Sequence, residues 1–312
     1  EAGAIAAPPA VMNAVIDAVG TESDSIIFDN YGNENWKGIT MDGVSNSSIM
    51  EYVRISGVET GFVPNQPIAG GGAVILLNSS PVLKHMTINN NTAFWGAGIL
   101  MGWSDPTLSH VDILDNYAIS AGGGMYIAAS NPVIENVNIR RNTVEVGGAY
   151  KLGGGIVIDS CDEIMLNQME ISNNTASRGA GIYVQNSSVI LTQVSFYGNS
   201  IQIGDCECHD AECPYEPCEG LGGGIYLSEA FSIMKNVTMS SNSALDHGGG
   251  IFSYKSNFAL VNSLIWGNEP EPIYSFMSGD GQPDIIYSDI EGGWEGEGNI
   301  DADPLFTNPE NG

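Results

Sequence analysis

Basic residues are scarce in this chain: nine Lys and Arg stand against 37 Asp and Glu over 312 residues, a formal net charge of −28. A surface of that sign repels nucleic acid and anionic membranes, and no basic stripe rescues either partner. Long apolar runs are missing as well. None approaches the roughly 20 residues a membrane-crossing helix needs, so direct membrane insertion by a helix is not expected. Residues 1–20 lack the basic start of a secretory leader. Cysteine is nearly confined to one place, since four of the five lie between Cys206 and Cys218 and only Cys161 stands apart. The acid excess suits an extracellular or outer cell-surface protein bathed in salt or calcium. No cofactor is required by any motif, calcium is a possible ligand, and the acids serve equally to keep a β-rich rod soluble.

Glycine, by contrast, is abundant and periodic. Runs at Gly70-Gly71-Gly72, Gly96-Ala97-Gly98, Gly122-Gly123-Gly124, Gly153-Gly154-Gly155, Gly179-Ala180-Gly181, Gly222-Gly223-Gly224 and Gly248-Gly249-Gly250 follow one another at steps of 26, 26, 31, 26, 43 and 26 residues. A flexible linker keeps no such register, whereas the coils of a solenoid must. A second marker repeats in step: Asn91, Asn116, Asn142, Asn174, Asn199, Asn242 and Asn268 each close a β-type run, as in Val137-Asn138-Ile139-Arg140-Arg141-Asn142. One asparagine per coil at one turn lets each amide bond to the rungs above and below. Pro81, Pro106 and Pro132 mark another turn, where a missing N–H does no harm.

These repeats predict an all-β chain: a right-handed parallel β-helix of about nine coils, each with about three short strands, stacked at roughly 4.8 Å per rung. One elongated domain is expected. Residues 1–25 form an N-terminal cap, read as a proline-led amphipathic helix with Val11, Val15, Ile16 and Val19 on one side. Residues 26–306 form the β-helix, with insertions at 57–69, 143–152 and 200–221, and 307–312 form a tail that suggests truncation of a longer protein.

The insertion holding Cys206, Cys208, Cys213 and Cys218 is too long and too polar to order itself without staples. Two disulfides are expected, pairing 206–213 with 208–218 or 206–218 with 208–213, against a rival zinc knot that would add His209. Cys161 reads as a small buried or turn residue.

The GGGIY-type motif at Gly222-Gly223-Gly224-Ile225-Tyr226 and the FxxN-type motif at Phe196-Tyr197-Gly198-Asn199 resemble the repeats of the polymorphic outer-membrane protein family. More broadly the chain resembles secreted bacterial right-handed β-helix proteins of the pectate-lyase-like superfold, over residues 26–306. The stretch from Tyr287 to Phe306 is similar to the closing coil of such proteins. The resemblance implies the fold. Function is open, because the superfold hosts lyases, hydrolases, epimerases, adhesins and spacers. Its lyases use Lys or Arg, commonly with calcium, and the nine basic residues here are scattered. Its hydrolases use clustered aspartates, and no close Asp-Asp pair stands on a ladder strand.

Two faces carry candidate sites. Ahead of the ladder asparagines, His85, Thr87, His110, Asp112, Asn136, Asn138, Arg140, Gln168, Glu170, Ser172, Gln193 and Ser195 read as a continuous polar face. There Asp112 and Glu170 are expected two rungs apart, near the carboxylate separation of inverting glycosidases, with His110 beside Asp112 and Arg140 between the acids. After the glycine runs, Ile99, Met125, Ile156, Ile182, Ile225 and Ile251 share the inward parity, which sends Tyr126, Tyr183, Tyr226 and Phe252 outward as an aromatic ladder. Such a ladder suits sugar stacking, self-association, or cover by the chain's own insertions. The expected function is therefore a non-catalytic extracellular module for adhesion or for binding a polysaccharide or surface protein, with a polysaccharide hydrolase, or less readily a calcium-dependent lyase, as the alternative.

Overall fold

The computed structural model describes residues 18–30, 35–61, 70–146, 151–204, 219–276 and 282–307, and among these it contains strands and no α-helix. Every named strand pair is parallel, and neighbours within a sheet are one coil apart in sequence. Met125, for example, pairs with Ile99 on one side and with Ile156 on the other. One coil shows the plan. A flat-sheet strand, Ile99–Gly102, is followed by a long strand, Thr107–Leu114, and a short one, Tyr117–Ala121. Stacked over the chain, these build a nine-stranded sheet, a fifteen-stranded sheet bent along its length, and a five-stranded sheet.

In the middle coils four corners close each turn of the solenoid, and each is made by one residue in the left-handed region. In the coil just described they are Trp103 (φ 50°), His110 (φ 54°), Asp115 (φ 57°) and Gly122 (φ 67°). A single left-handed residue reverses the local direction of the backbone without a loop, so the coil turns four times while keeping its strands in register. Asn, Asp and Gly tolerate that region best, which is why they recur at these positions.

The interior is a stack of aliphatic columns. Ile99, Met101, Leu108, Val111 and Ile113 are all buried, as are their counterparts in neighbouring coils. The third glycine of each run is demanded by the stacking itself: a Cβ on Gly155 would lie 2.5 Å from the carbonyl oxygen of Gly181, and one on Gly181 2.4 Å from that of Gly224. In the middle coils a larger residue there would force neighbouring coils apart.

Two polar columns run inside the rod. The seven ladder asparagines share one column, in which Asn116 Nδ2 donates to Asn142 Oδ1 (3.0 Å) and to the carbonyl of Ile88 (3.0 Å), and the Asn116 backbone N–H donates to the same Asn142 oxygen (3.1 Å). The pattern continues through Asn174, Asn199, Asn242 and Asn268, and at the near end Val58 N–H donates to Asn91 Oδ1. From Asn91 to Asn242 each buried amide is thus satisfied from both neighbouring rungs, and Asn268 closes the column on the Met239 and Trp266 carbonyls, which removes the desolvation penalty. A second column holds Ser79, Ser104, Ser130, Cys161, Ser187 and Ser256. Each serine hydroxyl donates to the carbonyl two residues before it, as Ser187 does to Gln185. Cys161 occupies a serine place: its N–H donates to Ser187 Oγ (3.0 Å) and its thiol lies 3.3 Å from the Asp159 carbonyl. Burial pushes that thiol's pKa up.

Several boundaries differ from those expected. Ala18–Val19 is a strand paired with Met50–Glu51, so the solenoid begins inside residues 1–25, and Val19 is exposed rather than on a helix face. The remainder of the proposed capping helix, 1–17, lies outside the described residues. Thr143–Val144 and Ser200–Ile201 are strands of the short sheet, so two of the three insertions start later than their glycine spacing implied. Residues 62–69, 147–150, 205–218 and 308–312 are outside the described residues, and with them the four clustered cysteines, His209 and most of the tail. The first repeat step is 25 by strand register, because Val74 pairs with Ile99. At the far end Trp294 packs against the core.

Candidate binding faces

The aromatic column is where parity put it, on the outer side of the flat sheet: Val157 pairs with Tyr183, Tyr183 with Tyr226, and Tyr226 with Phe252. Its rings stack at centroid distances of 5.0 Å (Tyr183–Tyr226) and 4.8 Å (Tyr226–Phe252), continuing to Tyr274 at 5.6 Å. Yet Tyr183, Tyr226 and Phe252 are only 7, 6 and 5 % exposed. Of the three uses the ladder suits, this burial fits cover by the chain itself and not an open stacking surface. The chain leading into each glycine run folds back across these rings and bridges rung to rung through Leu152, Arg178, Leu221 and His247. Leu152 and Leu221 pack on the rings, and the His247 ring stacks on Tyr274 at 4.0 Å. Outward from the main core therefore means inward to a second, smaller core. Burial raises the phenol of Tyr226 to about 12. Tyr126, at the half-buried edge, is also raised to about 12, first by burial and then by the charge of Asp159.

The polar face does stand open. Asp112 pairs with Asn138 and Asn138 with Glu170, so the two acids are two rungs apart in one column that also holds Thr87, Ser195 and Thr238. Arg140 bridges them, 3.6 Å from Asp112 and 3.9 Å from Glu170. Asn138 Nδ2 donates to Asp112 Oδ1 (2.8 Å) and Ser172 Oγ to Glu170 Oε1 (2.8 Å). With side-chain exposures of 34, 41 and 43 % for Arg140, Asp112 and Glu170, this triad contributes little to stability. Its donors already occupy one oxygen of each acid. The fourth member, His110, sits at a left-handed corner with its ring against His85 (4.9 Å), which in turn stacks on Tyr52 (4.7 Å). The same corner column continues as Asn136, Gln168, Gln193, Asn236 and Asn262, all left-handed, with Asn262 Nδ2 donating to Asn236 Oδ1 (3.2 Å).

That corner inverts the alternation of the bent strands. In Val82–Asn89 the left-handed His85 makes Leu83 and Met86 both inward, three residues apart, so Val82 and Lys84 face out where straight alternation sends them in. The outward positions ahead of the corner were therefore missed. Their only sequence signal is the recurring His, Asn or Gln in the middle of each strand, of which His and Asn are enriched in the left-handed region. Among the described residues no three or more His, Cys, Asp or Glu side chains gather as a metal site.

Three parallel sheets wound coil upon coil define a parallel β-solenoid. The chain belongs to the right-handed β-helix family, whose right handed beta helix region matches residues 19–201 and, overlapping, 154–290. No curated protein and no solved structure matches the chain.

Proposed function

We propose that this rod is a non-catalytic extracellular or cell-surface module that binds a linear polysaccharide or an extended partner protein along its polar face. The observation that supports this reading is the corner rail: Tyr52, His85, His110, Asn136, Gln168, Gln193, Asn236 and Asn262 stand at one corner of successive coils, beside the Thr87–Asp112–Asn138–Glu170–Ser195–Thr238 column. Amides, hydroxyls and flat rings repeated at roughly 4.8 Å offer an extended ligand the same contacts rung after rung. Calcium joins the reading as a ligand the acidic surface could recruit, not as a requirement. Self-association through the aromatic ladder is set aside, since those rings are covered.

The spacing of Asp112 and Glu170 keeps a hydrolase as the second reading, with Arg140 orienting both acids. One experiment separates the two. A glycan array run beside reducing-end and unsaturated-product assays should show binding without turnover, and Gln168→Ala with Gln193→Ala should weaken that binding by about 1–3 kcal/mol at unchanged thermal stability. Turnover that Asp112→Asn with Glu170→Gln abolishes, with binding retained, replaces the module by a hydrolase.

A further inference from the structure

The bent sheet has a second outer face, ahead of the left-handed corner, and its composition is unlike the rest of the molecule. Strand register places Ile49, Val82, Thr107, Val133, Met165, Ile190, Ile233 and Ala259 in one outward column. Seven of these eight are apolar. Val133 and Met165, at the middle of the rod, are 50 and 53 % exposed, and Phe231, beside the column, is 47 % exposed. Among the described residues, the bridging segment that lies over the aromatic column has no counterpart on this face.

The neighbouring outward column is Glu51, Lys84, Ser109, Glu135, Asn167, Thr192, Lys235 and Val261. Its two acids and two bases cancel. Lys84 pairs with Glu51 at 3.1 Å, and Glu135 accepts a hydrogen bond from Asn167 (3.1 Å). So a chain of net charge −28 carries one face, eight rungs long, with no net charge and an apolar spine. Two rods this acidic repel one another, and a face whose own charges cancel opposes docking least.

We infer that this face is where a second copy of the chain docks, sheet against sheet. The area sets the strength. Eight rungs span about 35 Å and two columns about 14 Å, so each copy contributes about 500 Å² and the pair buries about 1,000 Å², at the lower bound for a specific interface. The dimer is accordingly weak and concentration-dependent, and it tightens with salt, because ions screen the repulsion between the two acidic rods while leaving apolar contact intact.

Sedimentation velocity from about 1 to about 200 µM chain tests this, with dissociation expected on the order of 10 µM. Raising NaCl from about 50 to about 500 mM should lower the dissociation constant, and Val133→Gln with Met165→Gln should raise it at least about tenfold. Far-UV circular dichroism checks that the variant is folded; should it not fold, Ile190→Thr with Phe231→Ser carries the same test. A chain that stays monomeric throughout, a dimer that the substitutions leave unchanged, or a dimer that salt dissociates overturns the proposal. So does loss of glycan-array binding by the variant in a monomeric protein, which assigns the face to a ligand. Glycan binding through the corner rail is measured separately, so failure of either reading leaves the other standing.

Discussion

Two outward apolar columns run the length of this rod, and they have opposite fates. On the flat sheet, Val157, Tyr183, Tyr226 and Phe252 are roofed by the chain returning to the glycine run. On the bent sheet, Val133 and Met165 face solvent, with Val82 and Ile190 half-buried in the same column. Both columns sit on the outer side of a parallel sheet, and both repeat coil by coil. The difference lies in the connection: the residues just ahead of the glycine runs, Leu152, Arg178, Leu221 and His247, bridge rung to rung on the flat sheet's flank, whereas the bent sheet's strand simply turns through one left-handed residue and goes on. An outward side chain is a surface side chain only where no neighbouring segment of the same coil folds over it.

The sharpest way to break this comparison is to replace one side chain in each column. Tyr226→Ala removes a stacked, covered ring and should cost about 3–5 kcal/mol, read as a loss of midpoint in urea or heat unfolding. A cost below about 1 kcal/mol would mean that the roof is not a packed core. An intermediate effect comes from alkali. The phenols of Tyr126 and Tyr226 have folded values of about 12 against an ordinary value of 10.0. The unfolded chain therefore releases these protons first. Stability contributed by the neutral rings is fully present below pH 10 and drains away as pH rises towards 12, on the order of 2 kcal/mol per ring. Tyr126→Phe with Tyr226→Phe should flatten the fall, measured as urea midpoint against pH; an equal fall in the variant would place its cause elsewhere. The smallest effect is expected on the bare column. Met165→Gln, at an exposed site, should change monomer stability by less than about 0.5 kcal/mol, and a larger loss would reveal cover over this face too.

How far the sequence could be read depended on which residues carried the signal. The coil repeat, the parallel sheets and the inward isoleucines after each glycine run were legible because glycine, asparagine and isoleucine recur at fixed offsets, and steric need holds them there: Gly155 has no room for a Cβ, and Asn142 bonds two rungs at once. The pairing of Asp112 with Glu170 through Asn138 was legible for the same reason, since it follows from coil register alone. The burial of Tyr183 and Tyr226 was legible only as one of three uses of the ladder, because the choice rests on Leu152 and Leu221, whose segments carry no periodic mark. The outward turn of Val82 and Met165 was hidden by one backbone angle. His85 and Gln168 look like ordinary strand residues, yet their φ of 51° in each case shifts the alternation ahead of them by one place.

The asparagine column has a direction. From Asn91 to Asn242 each Nδ2 donates to the asparagine of the following coil, and each Oδ1 from Asn116 to Asn268 accepts from the preceding one, so the amide dipoles point one way and reinforce one another along the rod. A link in such a chain is interchangeable with any other link, since what it receives above and hands on below is the same. Copying a coil into the middle of the stack, or excising one, would leave the sequence of donors and acceptors unbroken. The length of this molecule is thus a quantity that gene duplication can adjust in single-coil increments, each moving whatever the rod carries outward by roughly the thickness of one strand.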